Sequence, residues 1–171
     1  MEHFTNETID TAQLPRYEAV TLTPLHPNYW YVALLGLSFV FLIIGIALAL
    51  VWYNSAEFEG YGIHLIIGFL LLVIVGNGIN FISFKKKAYA FRNHDVIFRN
   101  GIIATNTMVI PYNRVQHVAL HEGVISRYFG LAKVEIFTAG GSSSDIEIPG
   151  IAKEEAENIK QLLMGKIQKQ L

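Results

Sequence analysis

His117 and His121 stand four residues apart. On a helix that spacing would put both imidazoles on one face, where a zinc ion could sit between them. The neighbours argue against a helix. Val118 and Leu120 alternate with the two histidines, which is the period of a strand with an exposed histidine row. Glu122 follows His121, but the order is not the His-Glu-x-x-His of a metalloprotease. After residue 85 only His94 adds another imidazole, and the chain has no cysteine, so no metal site is expected. Asp145 and Glu147 are the only close acids in the β-rich part. No nucleophile has a matched base, so no catalytic residues and no cofactor are expected, and the chain reads as a non-enzyme. The run Gly140-Gly141-Ser142-Ser143-Ser144 could cradle a phosphate through backbone amides. It lacks the Gly-Lys-Ser/Thr ending of a phosphate loop and reads better as a hairpin turn. Arg114 could hold a carboxylate or phosphate bidentately, or tie two loops together. Lys85, Lys86 and Lys87 could meet anionic head groups, at about 1 kcal/mol per base. Three lysines fall short of the roughly 4–8 of a lipid-binding cluster, so a topology anchor is the better reading.

These groups need elements to hold them, and composition says which. Of 171 residues, 52% are hydrophobic and only 16% charged. A soluble domain carries about 25% charged residues. The mean hydropathy is +0.37. So many apolar residues exclude disorder. The absence of cysteine excludes a disulfide-stapled secreted fold and thiol chemistry. A net charge of −1 gives no sign of a nucleic-acid partner.

Two stretches lack Asp, Glu, Lys and Arg, between Glu18 and Glu57 and between Glu59 and Lys85. Their apolar cores run over 30–53 and 63–84. About 22 residues make a helix of about 33 Å, against about 30 Å of hydrocarbon. Both read as transmembrane helices, forming a hairpin over 30–84. Trp30 and Tyr31 at one end and Trp52 and Tyr53 at the other match interfacial aromatic belts. The connecting loop carries Glu57 and Glu59 and no base, whereas Lys85, Lys86 and Lys87 follow the second run. By the positive-inside rule the loop faces outward, and both termini are cytoplasmic. Asn77 and Asn80 share a face of the second helix and could hydrogen-bond to the first helix or another subunit. Gly45 and Ala49 permit close helix approach.

Residues 1–29, with Pro15, Pro24 and Pro27, read as an irregular cytoplasmic tail. Residues 85–171 read as a cytoplasmic β domain of net charge +4. Strands are expected at 88–92, 96–99, 102–110, 115–121, 132–137 and 145–148. Asn100-Gly101 signals a two-residue hairpin. Pro111 marks a strand edge or break. One helical turn is expected at 126–129, stopped by Gly130. Ala156, Ile159, Leu163 and Ile167 predict an amphipathic helix over about 152–169.

Within this domain the segments Arg99-Asn100-Gly101 and Ile110-Pro111-Tyr112-Asn113-Arg114-Val115-Gln116 occur in order. They are followed by Gly123, Arg127, Gly130-Leu131-Ala132, Thr138-Ala139-Gly140-Gly141 and Ile148-Pro149-Gly150. Together they resemble the bacterial pleckstrin-homology-like domain of small two-span membrane proteins. The resemblance covers roughly residues 85 to 155, and two helices before the domain match as well. It implies a seven-stranded, strongly bent β-sandwich or partly open barrel capped by the C-terminal helix, in a bacterial cytoplasmic (inner) membrane. It carries over no catalytic or lipid-binding residue.

The expected function is a membrane-tethered interaction or assembly module, serving envelope maintenance or stress resistance. By resemblance its partner is a larger membrane protein with related domains, or copies of itself. Besides membrane lipids as solvent, an anionic-lipid-sensing role is the alternative.

Overall fold

The computed structural model describes residues 8, 10, 17–55, 60–139 and 146–168. Arg16, Glu57, Glu59, the stretch 140–145 with Gly140, Gly141 and Asp145, and Lys169 lie outside the described residues.

Two long helices come first, α1 (Tyr29–Asn54) and α2 (Gly62–Lys86). At 1.5 Å per residue each exceeds the hydrocarbon thickness. Almost none of either helix is buried inside the protein. Phe39 and Ile74 stay 62% and 67% exposed. A soluble core helix would hide such side chains, so these two require lipid around them. The helices meet through rings set against glycines. Trp30 packs edge-on to Phe81 at 5.0 Å and Phe41 edge-on to Phe69 at 6.5 Å. A β-carbon on Gly45 would stand 3.1 Å from Phe69 Cζ, and one on Gly76 2.6 Å from Phe41 Cζ. Gly45 thus seats a ring. Asn80 Nδ2 donates to the Ala33 carbonyl of α1 at 3.3 Å, as the sequence allows. Asn77 instead donates to its own helix, at Val73 O.

The β domain holds two antiparallel sheets, β1-β2-β3-β4 and β5-β6-β7. The first contains β1 (Thr23–Pro24), β2 (Ala88–Phe91), β3 (Asp95–Asn100) and β4 (Asn106–Pro111). The second contains β5 (Val115–His121), β6 (Leu131–Thr138) and β7 (Ile146–Ala152). A short helix α3 (Val124–Tyr128) joins β5 to β6, and α4 (Lys153–Gln168) ends the domain. Val96, Phe98, Val134, Ile136, Ile146 and Ile148 fill the space between the sheets. Ala156, Ile159 and Leu163 of α4 are buried against this core, at the positions the helical period predicts. Each fully buried branched side chain contributes about 1.5–3 kcal/mol.

The sequence marks 1–29 as irregular, but its last residues belong to the β domain. Thr23 pairs with Tyr89 and Pro24 with Ala88, and Leu25 is buried in the core. His26 N–H donates to Gly150 O at 2.9 Å. Among the described residues, seven strands are therefore reached by counting one from before the membrane hairpin. Two turns also differ from expectation. Asn100 pairs with Asn106, so the hairpin loop is residues 101–105, and β4 begins four residues later than the expected strand at Ile102. Gly101 has φ +114, and a β-carbon there would strike Ala104 O. Strand β7 runs through Pro149-Gly150 instead of stopping before it. Among the described residues it is the edge strand of its sheet, a position where a proline is tolerated. Gly150, at φ +65, lies where the β6–β7 register shifts.

The strands alternate in direction relative to the membrane. Strand β2 leaves the end of α2, so the β2–β3 turn lies far from the helices and the loop 101–105 lies near them. By the same alternation the turn after β4 and the end of β6 are distal. The segment 122–130 and the end of β7 are proximal, and α4 runs outward to place Lys166 Nζ 3.0 Å from Asn93 O.

Candidate functional site

The site builds from the turn that follows β4. Pro111 ends the strand and a 3₁₀ turn covers Tyr112–Arg114. Tyr112 anchors it: its side chain is buried and its hydroxyl donates to Arg92 O at 2.6 Å. Its amide donates to His94 O at 2.9 Å. Burial, reinforced by the Asp95 carboxylate, pushes the phenol pKa up to about 12. Asp95 is itself held by a two-point contact with the Arg92 guanidinium. With Tyr112 turned inward, Arg114 is left on the surface. The Ala139 amide donates to Arg114 O at 3.1 Å and fastens the end of β6 to this turn.

Between them lies an open groove of about 590 Å³. Met108, Val109, Ile110 and Pro111 of β4 form one wall, and Arg114, Thr138 and Ala139 form the other. Strand β4 pairs with β3 and, among the described residues, with no strand on its other edge. Val109 is 40% exposed there. The groove thus offers apolar walls, backbone hydrogen-bonding groups and one planar cation suited to a carboxylate. Gln116 is exposed on β5 close by in sequence.

The motif residues therefore divide between two ends of the domain. Pro111, Arg114, Thr138 and Ala139 converge on the distal groove although more than twenty residues separate the two pairs. Gly101, Arg127, Gly130 and Leu131 are proximal. Gly130 takes φ +65, and Leu131 is core. Arg127 is exposed on α3. The histidines do not come together: His117 stacks on Phe137 at 4.1 Å. Among the described residues no three His, Asp or Glu side chains gather as a metal set.

The interfacial residues fall at two levels. Trp52 and Tyr53 lie at the loop end of the hairpin, with Trp30, Tyr31 and the lysines at the domain end. The three lysines diverge. Lys85 Nζ lies 5.6 Å from the Phe81 ring centre, and Lys86 Nζ donates to Ile102 O at 2.5 Å. Lys87 is half-buried, and that burial lowers its pKa. What the sequence hid was the role of Leu25 and Tyr112. One apolar residue between prolines has no period to read, and a lone tyrosine gives no sign of which way it points.

The model of the bacterial PH domain family matches residues 27–167. The chain belongs to this family. The match takes in both helices and the domain after them, so the bacterial PH domain here comes with its membrane hairpin. Two curated relatives are similar. The UPF0699 transmembrane protein YdbS of Bacillus subtilis (strain 168) is 32% identical over 76 residues, 44% of this chain and 46% of that protein. The UPF0699 transmembrane protein YdbT of the same organism is 28% identical over 101 residues, 58% of this chain and 20% of that protein. The chain thus aligns with less than half the length of either. No solved structure matches it.

Proposed function

We propose that this bacterial PH domain protein is a non-enzymatic interaction or assembly module, tethered at the cytoplasmic face of the inner membrane. The observation that carries this is the distal groove, where two separated pieces of the family pattern meet beside a strand edge that no described strand pairs. An extended segment can add to such an edge through main-chain hydrogen bonds, with side-chain contacts giving specificity. Here Arg114 favours a segment carrying a carboxylate. Tethering confines the groove to the membrane plane and raises its effective concentration for a neighbour. The partner is a larger membrane protein with a related domain, or a second copy of this chain. The similarity to YdbT, most of whose length lies outside the match, supports the first form. Service in envelope maintenance or stress resistance is the physiological setting we assign.

The anionic-lipid-sensing alternative has weaker support. Arg114 stands at the end of the domain away from the helices. An eight-residue strand such as β6 rises about 26 Å, beyond reach of the head groups beneath. The lysines point to three different places.

A photo-crosslinker at Val109, used in native membranes, tests the reading. A crosslinked partner bearing a related domain, or a dimer, is expected; recovery of the monomer alone counts against it. Orientation has its own test, a reporter fused at Leu171 that works only in the cytoplasm. Activity there of a reporter that works only after export would reverse the topology.

A further inference from the structure

The proximal end of the β domain carries large apolar side chains that touch little protein. Ile103, in the loop 101–105, is 99% exposed. Val124 and Tyr128 of α3 are 90% and 87% exposed. These are among the most exposed large apolar residues outside the spanning helices, and they sit in the two loops that lie nearest those helices.

Both loops are fastened at membrane level. On one side Lys86, the last residue of α2, donates to the Ile102 carbonyl at 2.5 Å. Ile102 lines a groove that also includes Ser83 and Asn80 of α2, so the loop lies alongside the last turns of that helix. On the other side Phe129, just after α3, stacks on Tyr31 of α1 with ring centres 6.1 Å apart and planes at 14°. Tyr31 is the third residue of α1, about 3 Å into the helix. An aromatic residue there lies in the interfacial zone. A loop stacked on it shares that depth.

We infer that the 101–105 loop and α3 are seated in the bilayer interface. Ile103 enters it on one side of the hairpin, and Val124 and Tyr128 enter on the other. The occupant of this apolar surface is the lipid already surrounding the two helices, because the surface continues theirs. The contact is apolar: it needs no particular head group and differs from lipid sensing by a basic cluster. Its effect is orientation. Two inserted points in addition to the hairpin stop the domain from rocking, and the distal groove is held facing away from the membrane. The inference rests on the spanning hairpin and stands whatever occupies that groove.

The chain has no cysteine, so single cysteines at 103, 124, 128 and 113 accept one label each. Asn113 lies in the distal turn and serves as the reference. The full chain is reconstituted in phosphatidylethanolamine and phosphatidylglycerol vesicles, with an environment-sensitive fluorophore at each site in turn. The quencher is a lipid bearing a nitroxide near the top of its acyl chain. Labels in Ile103→Cys, Val124→Cys and Tyr128→Cys are expected to show blue-shifted emission and to lose most of it to the quencher. The label in Asn113→Cys keeps its emission. Quenching at 103 or at 124 no deeper than at 113 overturns the two-sided seat. To exclude insertion driven by the dye, Val124→Asp is combined with the label at 128. Quenching at 128 should fall towards the Asn113 level, since a carboxylate resists the interface. Unchanged quenching overturns the inference, because the dye alone then enters the lipid.

Discussion

Tyr29, the first residue of the first spanning helix, sits against the bare α-carbon of Gly150 in the last strand. A β-carbon at position 150 would overlap the root of the Tyr29 side chain, which cannot swing away as a ring tip can. With the bond from His26 N to Gly150 O, this contact sets how the β domain meets the hairpin.

Gly150→Ala should therefore lower stability by roughly 2–5 kcal/mol. Left-handed backbone in a residue with a β-carbon costs about 1–2 kcal/mol, and overpacking adds about 1–3 kcal/mol. Denaturant unfolding in detergent measures it. Adding Tyr29→Ala should recover the overpacking share and leave the backbone share. A double variant no better than Gly150→Ala would show that crowding is not the cause.

Alkaline pH should loosen the distal turn. The folded pKa of Tyr112 is raised from 10.0 to about 12, first by burial and then by Asp95. Its stabilising contribution is full below pH 10 and is lost as pH rises through about 12. Burial and the hydrogen bond to Glu155 raise Tyr89 in the same sense. Tyr112→Phe should cost about 0.5–1.5 kcal/mol at neutral pH and flatten the alkaline loss. Unfolding curves across that pH window check both effects; an unchanged slope would remove Tyr112 as the titrating group.

Within the membrane, glycine-to-alanine changes should rank by the ring they meet. Gly76→Ala crowds Phe41 at 2.6 Å and Gly45→Ala crowds Phe69 at 3.1 Å, while position 68 has nothing within 4 Å. The first should cost most, about 1–3 kcal/mol, because the ring must swing aside. Gly68→Ala should be neutral or slightly stabilising. Thermal aggregation in detergent gives the order, and equal losses at all three sites would refute the ring-and-glycine contacts.

Arg114→Ala should leave unfolding within about 0.5 kcal/mol, since the side chain is exposed. Crosslinking from Val109 should fall about tenfold, the change that accompanies about 1.4 kcal/mol. Full crosslinking yield in the variant would remove Arg114 from partner recognition.

Much of this architecture is legible in the chain. Uninterrupted apolar runs set the two helices to within two residues, because length alone decides a spanning segment. Ala156, Ile159 and Leu163 gave the core face of α4, because a 3.6-residue period survives any context. Strand β1 was not legible, since two residues cannot show a period and its pairing is wholly non-local. Asn100-Gly101 signals a tight hairpin, but Gly101 opens a longer loop that reaches Lys86. Pro149-Gly150 reads as a stop, but β7 is the last described strand of its sheet, and a proline is tolerated at such an edge. Of the groove, Pro111 and Arg114 were visible as a motif; their meeting with Thr138 and Ala139 follows from the fold, not from spacing.

The pairing of Pro24 with Ala88 also bears on the order of biogenesis. Strand β1 leaves the ribosome before either helix, whereas its partner β2 follows both. At about 5–20 residues per second, several seconds pass before the partner exists. Throughout that interval Leu25 has no core to enter. If only one helix enters the bilayer, β1 and β2 end on opposite sides of the membrane and the first sheet stays incomplete. Closing that sheet therefore acts as a proofreading step: a chain in which only one of the two helices has crossed cannot finish folding.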